Sequence, residues 1–242
     1  MQTHNIVTAC ALMALSATCA LAQNPEPSFT ILRDQTNIEA SFGYMTSLND
    51  KLSVDSLMGG MIGISYTFDR TQHTSQNLSF GIGVFQGSES DSYTVDMNWA
   101  SRGVIDEDIS QTIIPVVLGY RYNYHFNEKF SVWGGARVGL LISKSEHEYY
   151  RETRPTSPSY NTIGKYKFAD TDIAPTVGLN IGAEYQITEG FSWMVGVNFD
   201  FAPGVERYLE YRKYAREDGF TSSVSSESII TSTIYTGFTY KF

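Results

Sequence analysis

Residues 173–201 read IAPTVGLNIGAEYQI, then TEG, then FSWMVGVNFDF, and this stretch decides the fold. In the first run Ile173, Pro175, Val177, Leu179, Ile181, Ala183, Tyr185 and Ile187 fall on one face. Ala174, Thr176, Gly178, Asn180, Gly182, Glu184 and Gln186 fall on the other. The second run sets Phe191, Trp193, Val195, Val197, Phe199 and Phe201 against Ser192, Met194, Gly196, Asn198, Asp200 and the following Ala202. A period of two means extended strands, because successive Cβ atoms point to opposite sides of a sheet. Thr188-Glu189-Gly190 is short and contains Gly, so the two strands form an antiparallel hairpin.

Alternation alone leaves the inward face open. A soluble barrel buries its apolar face and carries charge on the wet one, whereas a membrane barrel turns apolar side chains to lipid. Here the polar face is mostly Gly, Thr, Asn and Ser with few charges, where a water-facing strand normally carries Lys and Glu. The pattern predicts the membrane arrangement.

Working outward, the chain has 242 residues, 42% hydrophobic and only 18% charged, which suits one all-β domain. No run of about 20 apolar residues follows the N-terminus, so no transmembrane helix is expected; a closed barrel satisfies its backbone in lipid equally well. The net charge of −9 argues against nucleic acid as a partner. Residues 1–22 are expected to be a secretory signal: Ile6 to Leu21 is uncharged, and Ala20-Leu21-Ala22 makes an A-x-A cleavage site before Gln23. The segment Met1 to Asn5 departs from that pattern in lacking Lys and Arg. Cys10 and Cys19 both lie in this signal, so disulfides, thiol catalysis and Cys-based metal sites are not expected in the mature chain. Residues 23–35 read as an extended leader and 36–242 as the barrel.

Within 36–242 the alternating runs predict an all-β fold, an eight-stranded antiparallel up-and-down transmembrane barrel. Ten strands result if a long loop holds its own hairpin. Short turns are expected at Arg70–Asn77, Asn127–Lys129 and Thr188–Gly190. Long excursions are expected at about 86–108, 144–171 and 204–225, besides a polar connector through Asn49-Asp50-Lys51. Outer-membrane barrels place short turns in the periplasm and long loops outside. Tyr120, Tyr122, Tyr124, Phe126, Phe130, Tyr185, Phe191, Trp193, Tyr240 and Phe242 gather at the short-turn end, where an interfacial aromatic girdle belongs.

The final strand, Ile234 to Phe242, ends in Phe with Phe238 and Tyr240 at alternate positions before it. This resembles the C-terminal signature of Gram-negative outer-membrane β-barrels. The mature chain is similar to the small barrels that include outer-membrane protein A-type transmembrane domains and opacity-type surface proteins. The resemblance implies an outer-membrane location and an assembly signal at Phe238, Tyr240 and Phe242, read by the barrel-assembly machinery. It also implies contact with outer-membrane lipid and lipopolysaccharide; it implies no particular activity.

No residue set points to a cofactor, metal or catalytic centre. His73-Thr74-Ser75 resembles the His-x-Ser of outer-membrane lipid A deacylases, but it falls in a short turn and lacks the following Asn. His147, between Glu146 and Glu148, reads as a surface His, because a metal needs further ligands. His125 is expected to cap a turn, and Asp106-Glu107-Asp108 to be a solvated acidic run without EF-hand spacing. The basic-aromatic segments at 149–154 and 207–216 carry Tyr and Arg, the residue types of binding hot spots, and are the candidate contacts for a surface ligand.

With apolar faces on lipid, the inward polar set is Glu39, Arg121, Arg137, Asn180, Glu184, Asn198, Asp200 and Lys241. An eight-stranded barrel is only wide enough for its side chains to fill it, so these charges are expected to pair across the lumen. The expected pairs are Glu39 with Lys241, Arg121 with Glu184, and Arg137 with Asp200 or Glu184. The function this predicts is non-enzymatic: envelope structure or surface interaction through the long loops. A small pore or lipid-binding transporter is the alternative, and a lipid-modifying enzyme would need a catalytic set that these residues do not make.

Overall fold

The computed structural model describes residues 35–49, 52–98, 101–155, 162–210 and 222–241. The expected signal 1–22, the leader up to residue 34, and Phe242 lie outside the described residues. The strands are β1 Gln35–Ser47, β2 Ser56–Arg70, β3 Thr74–Asn98, β4 Ser101–His125, β5 Phe130–Pro155, β6 Thr162–Thr188, β7 Phe191–Glu210 and β8 Ser222–Lys241. Each pairs with its sequence neighbours, and β1 closes on β8 in a barrel. Among the described residues the excursions thus add no strands of their own; their described parts are the outer ends of β3 to β8.

The faces follow the inverted pattern. Ile62 is 64% exposed, Leu179 60% and Leu118 59%, all on the outer surface. Ser65, Thr67, Asn180, Asn198, Thr233 and Thr239 are buried toward the axis. A soluble barrel would show the reverse, so the outer surface is built for lipid. Aromatics flank the short turns: Tyr124 meets Phe126 edge-on at 5.0 Å, and Phe191 stacks on Phe238 at 5.1 Å.

One turn differs from expectation. The β2–β3 connection is only residues 71–73, closed by the Thr71 N–H donating to Thr74 O at 2.7 Å. Ser75 and Asn77 belong to the strand, not to the turn that their polarity suggests. That polarity serves the lumen: Ser75 is buried, and the two sit opposite Asn123 and Arg121 of β4.

Two ladders stop early on the outer side, each for a local reason. β6 pairs with β7 only as far as Val177↔Phe201. Beyond that row stand Pro175 and Pro203, and proline has no N–H to give a ladder. β2 begins at Ser56, so its pairing with β3 ends at Met58↔Gln86 while β3 runs on to Asn98 against β4 alone.

Candidate functional site

Among the described residues the lumen is where charged side chains are buried together, and it is layered. Nearest the short turns, Lys241 Nζ lies 3.0 Å from Glu184 Oε1. Above it Arg121 donates two parallel bonds to Glu39, Nη1 to Oε1 and Nη2 to Oε2, each 2.8 Å. The Arg121 guanidinium also lies 5.5 Å from the Trp133 ring centroid. The next layer is Arg137 paired with Asp200 through Nε and Nη2; the two residues are 6% and 5% exposed.

Register explains the last pair. Arg137 of β5 stands beside Gly178 of β6, which stands beside Asp200 of β7. A Cβ on Gly178 would run into the Asp200 carboxylate. The missing side chain therefore lets arginine and aspartate meet across the intervening strand. Similarly, a Cβ on Gly196 would stand 2.6 Å from Tyr235 Oη, so glycine makes room for the buried ring.

The other two pairs exchange partners relative to the sequence expectation. Glu39 takes Arg121 rather than Lys241, and Glu184 takes Lys241 rather than Arg121. On the shared strand β5, Arg121 is level with Gly135 and Glu184 with Ser131, four residues nearer the turn. That stagger separates Arg121 from Glu184. Lys241 in turn sits beside Asn37, below the Glu39 row, so it points to Glu184. Asn180 and Asn198 oppose one another on β6 and β7 and are both buried.

Within this ionic layer lies a cavity of about 50 Å³, lined by Glu39, Gly63, Gly81, Gly119, Arg137 and Asn180 among others. A water needs about 10–15 Å³ of such space, so a few fit. Asn180 Oδ1 and Arg121 Nε border it without a protein partner, which makes it a polar, wettable chamber.

The outer end of the lumen is apolar, and alternation did not reveal this. Met45, Leu57, Phe85, Ile113, Leu141, Ala174, Ala202 and Ile229 form a buried cluster, completed by Leu52 and Val54 from the β1–β2 connection. That connection folds into the barrel mouth. The Ser53 N–H donates to Gln111 Oε1 at 2.9 Å, and Gln111 Nε2 donates to Ser143 Oγ at 3.2 Å. Asn49 Nδ2 anchors its start by donating to Ser228 O at 2.7 Å. Burying a Leu or Val side chain is worth about 1.5–3 kcal/mol, so the segment forms a held lid.

His125 does not cap a turn with its ring; its Nε2 lies 3.0 Å from Ser75 Oγ, and its backbone N–H donates to His73 O. This is a Ser–His pair with no carboxylate hydrogen-bonded to the other ring nitrogen among the described residues. His73 stacks on Tyr124 at the turn. His147 stands opposite Ile109 on β4, and among the described residues no three His, Cys, Asp or Glu side chains could hold a metal. In the acidic run, Glu107 is buried while Asp106 and Asp108 are exposed.

Just outside the lipid-facing belt, Lys144 pairs with Glu146 at 2.7 Å and Lys167 with Glu148 at 3.0 Å and Glu146 at 3.2 Å. The two lysines hold the Glu146 carboxyl below its usual range, and Glu148, then Glu146, hold Lys167 above its own. The lysines are exposed and the glutamates half-buried, so the cluster orders the rim more than it stabilises the fold.

A family model described as the outer membrane protein beta-barrel domain matches residues 7–242. The chain belongs to that family. An outer-membrane barrel protein accounts together for the apolar exterior, the polar interior and the aromatic flanks. Among solved structures, Neisserial surface protein A is similar at 11% identity and TM-score 0.41, over 86% of this chain and 97% of that one. Ail, the attachment invasion locus protein of Yersinia pestis, is similar at 10% identity and TM-score 0.38, again over 86% and 97%. A major outer membrane protein from Thermus thermophilus gives 14% identity and TM-score 0.49, over 87% and 100%. No curated protein matches the chain.

Proposed function

We propose that this outer-membrane barrel is a non-enzymatic surface-interaction protein, a closed scaffold that presents its outer strands to partners outside the cell. One observation carries the reading. The lumen is blocked twice, by ionic pairs below and an apolar lid above, while β3 to β6 run for 25 to 27 residues. Crossing a bilayer takes only about 9–11 residues per strand, so the surplus length stands outside. Adhesion, lipopolysaccharide contact or host contact through these outer strands is the activity such a shape serves. A pore or lipid transporter remains the alternative.

Export by a signal cleaved after Ala22, and assembly through Phe238, Tyr240 and Phe242 with the barrel-assembly machinery, complete the proposal. The topology gives its test. Trypsin added to intact cells is expected to cut at Arg151, Arg154, Arg207, Arg212 or Arg216 and to leave the membrane-embedded strands whole. Cleavage confined to the short turns would invert the orientation and remove the basis for a surface role.

A further inference from the structure

Resting on that surface reading, we infer that the outer half of β3 is a docking edge for an extended, basic segment of a partner protein, which adds to the sheet as a strand. From Ser88 to Asn98 the ladder on the β4 side is continuous apart from one irregularity near Asp96, with Ser88↔Ser110, Asp91↔Glu107 and Val95↔Gly103 among its rows. On the β2 side, pairing ends at Gln86. Among the described residues no strand pairs with 88–98 on that side, so eleven residues, about 36 Å at 3.3 Å each, keep one row of backbone N–H and C=O groups outside any ladder. Ser88 to Asp91 are exposed at every position rather than at alternate ones.

Natural edges are blunted with Lys, Pro or a covering element. Here 88–98 contains neither Lys nor Pro, and its charges are Glu89, Asp91 and Asp96. β4 adds exposed Asp106 and Asp108 beside them. Among the described residues no basic side chain pairs with Glu89, Asp91, Asp106 or Asp108; Asp108 accepts from Ser90 Oγ at 2.6 Å and Glu89 from the Asp55 N–H at 3.2 Å. Negative charge on both faces of an open edge selects a cationic strand. It also disfavours a second copy: in one membrane every β3 runs outward, so two such edges pair only in parallel, which brings like charges together. Strand addition to an exposed sheet edge supplies affinity through main-chain hydrogen bonds and selectivity through alternate side chains.

The experiment uses the mature protein in lipid nanodiscs and a ten-residue alternating Lys-Thr peptide. The peptide is expected to bind, to weaken with added salt, and to slow amide exchange at 88–98. Two N-methylated versions, one blocked at every Lys amide and one at every Thr amide, report on backbone pairing. One is expected to lose at least tenfold in affinity and the other to bind as before. Glu89→Lys combined with Asp91→Lys is expected to lose at least tenfold as well, in a barrel that remains folded. Equal binding by both methylated peptides would overturn the inference in favour of simple charge attraction. Exchange protection elsewhere, or a cross-linked dimer through β3 without peptide, would also overturn it. Trypsin cleavage on intact cells bears on the surface reading separately, so failure of the peptide leaves that reading standing.

Discussion

Arg137→Ala is expected to lower the unfolding free energy of the barrel by about 3–5 kcal/mol, the cost of leaving a buried charge without its partner. The loss comes from Asp200, which is 5% exposed and is left without its partner in a lumen too narrow to hydrate it freely. Removing both charges with apolar residues of similar size, as in Arg137→Met with Asp200→Leu, is expected to recover most of it. Replacing a whole buried pair is often neutral or stabilising. Urea unfolding in phospholipid vesicles checks both. A single substitution costing under about 1 kcal/mol would mean that water reaches Asp200 and the ionic layer does not seal the lumen.

The second large effect lies on the opposite side of the wall. Leu118→Arg is expected to cost about 2–4 kcal/mol, because an arginine near the bilayer midplane on the lipid face must be drawn out of hydrocarbon. Leu118 is 59% exposed and stands between Phe80 and Val138, midway along the belt. Ser90→Arg, outside the belt, is expected to stay within about 0.5 kcal/mol. Equal effects at the two positions, in the same vesicles, would show that the apolar outer face does not meet lipid.

How much of this was legible in the chain depends on the range of the interaction. Period-two alternation at 173–201 announced strands, and the Gly, Asn and Ser opposite its apolar residues announced a polar lumen. Both are local signals. The pairing of Arg137 with Asp200 needed only that the charges share a lumen and lie near the same level. The exchange between Glu39, Arg121, Glu184 and Lys241 was not legible, because four residues of stagger accumulate over two ladders and no single strand records them.

The lid was hidden for another reason. Leu52-Ser53-Val54 is too short to show a period and follows Asn49-Asp50-Lys51, so the segment has the look of a polar connector. Its apolar surroundings are hidden too. Phe85, Ile113 and Leu141 occupy lumen-facing positions where the alternation leads one to expect small or polar residues. The end of the β6–β7 ladder, in contrast, was available in Pro175 and Pro203, whose missing N–H groups mark it once the two strands are set in register.

The central claim is that the lumen is closed, and planar-bilayer conductance of the purified wild-type protein tests it most directly. The ionic layer and the lid block the path in series, so no steady conductance is expected across the usual voltage range. A stable open channel from the wild-type protein would contradict the account.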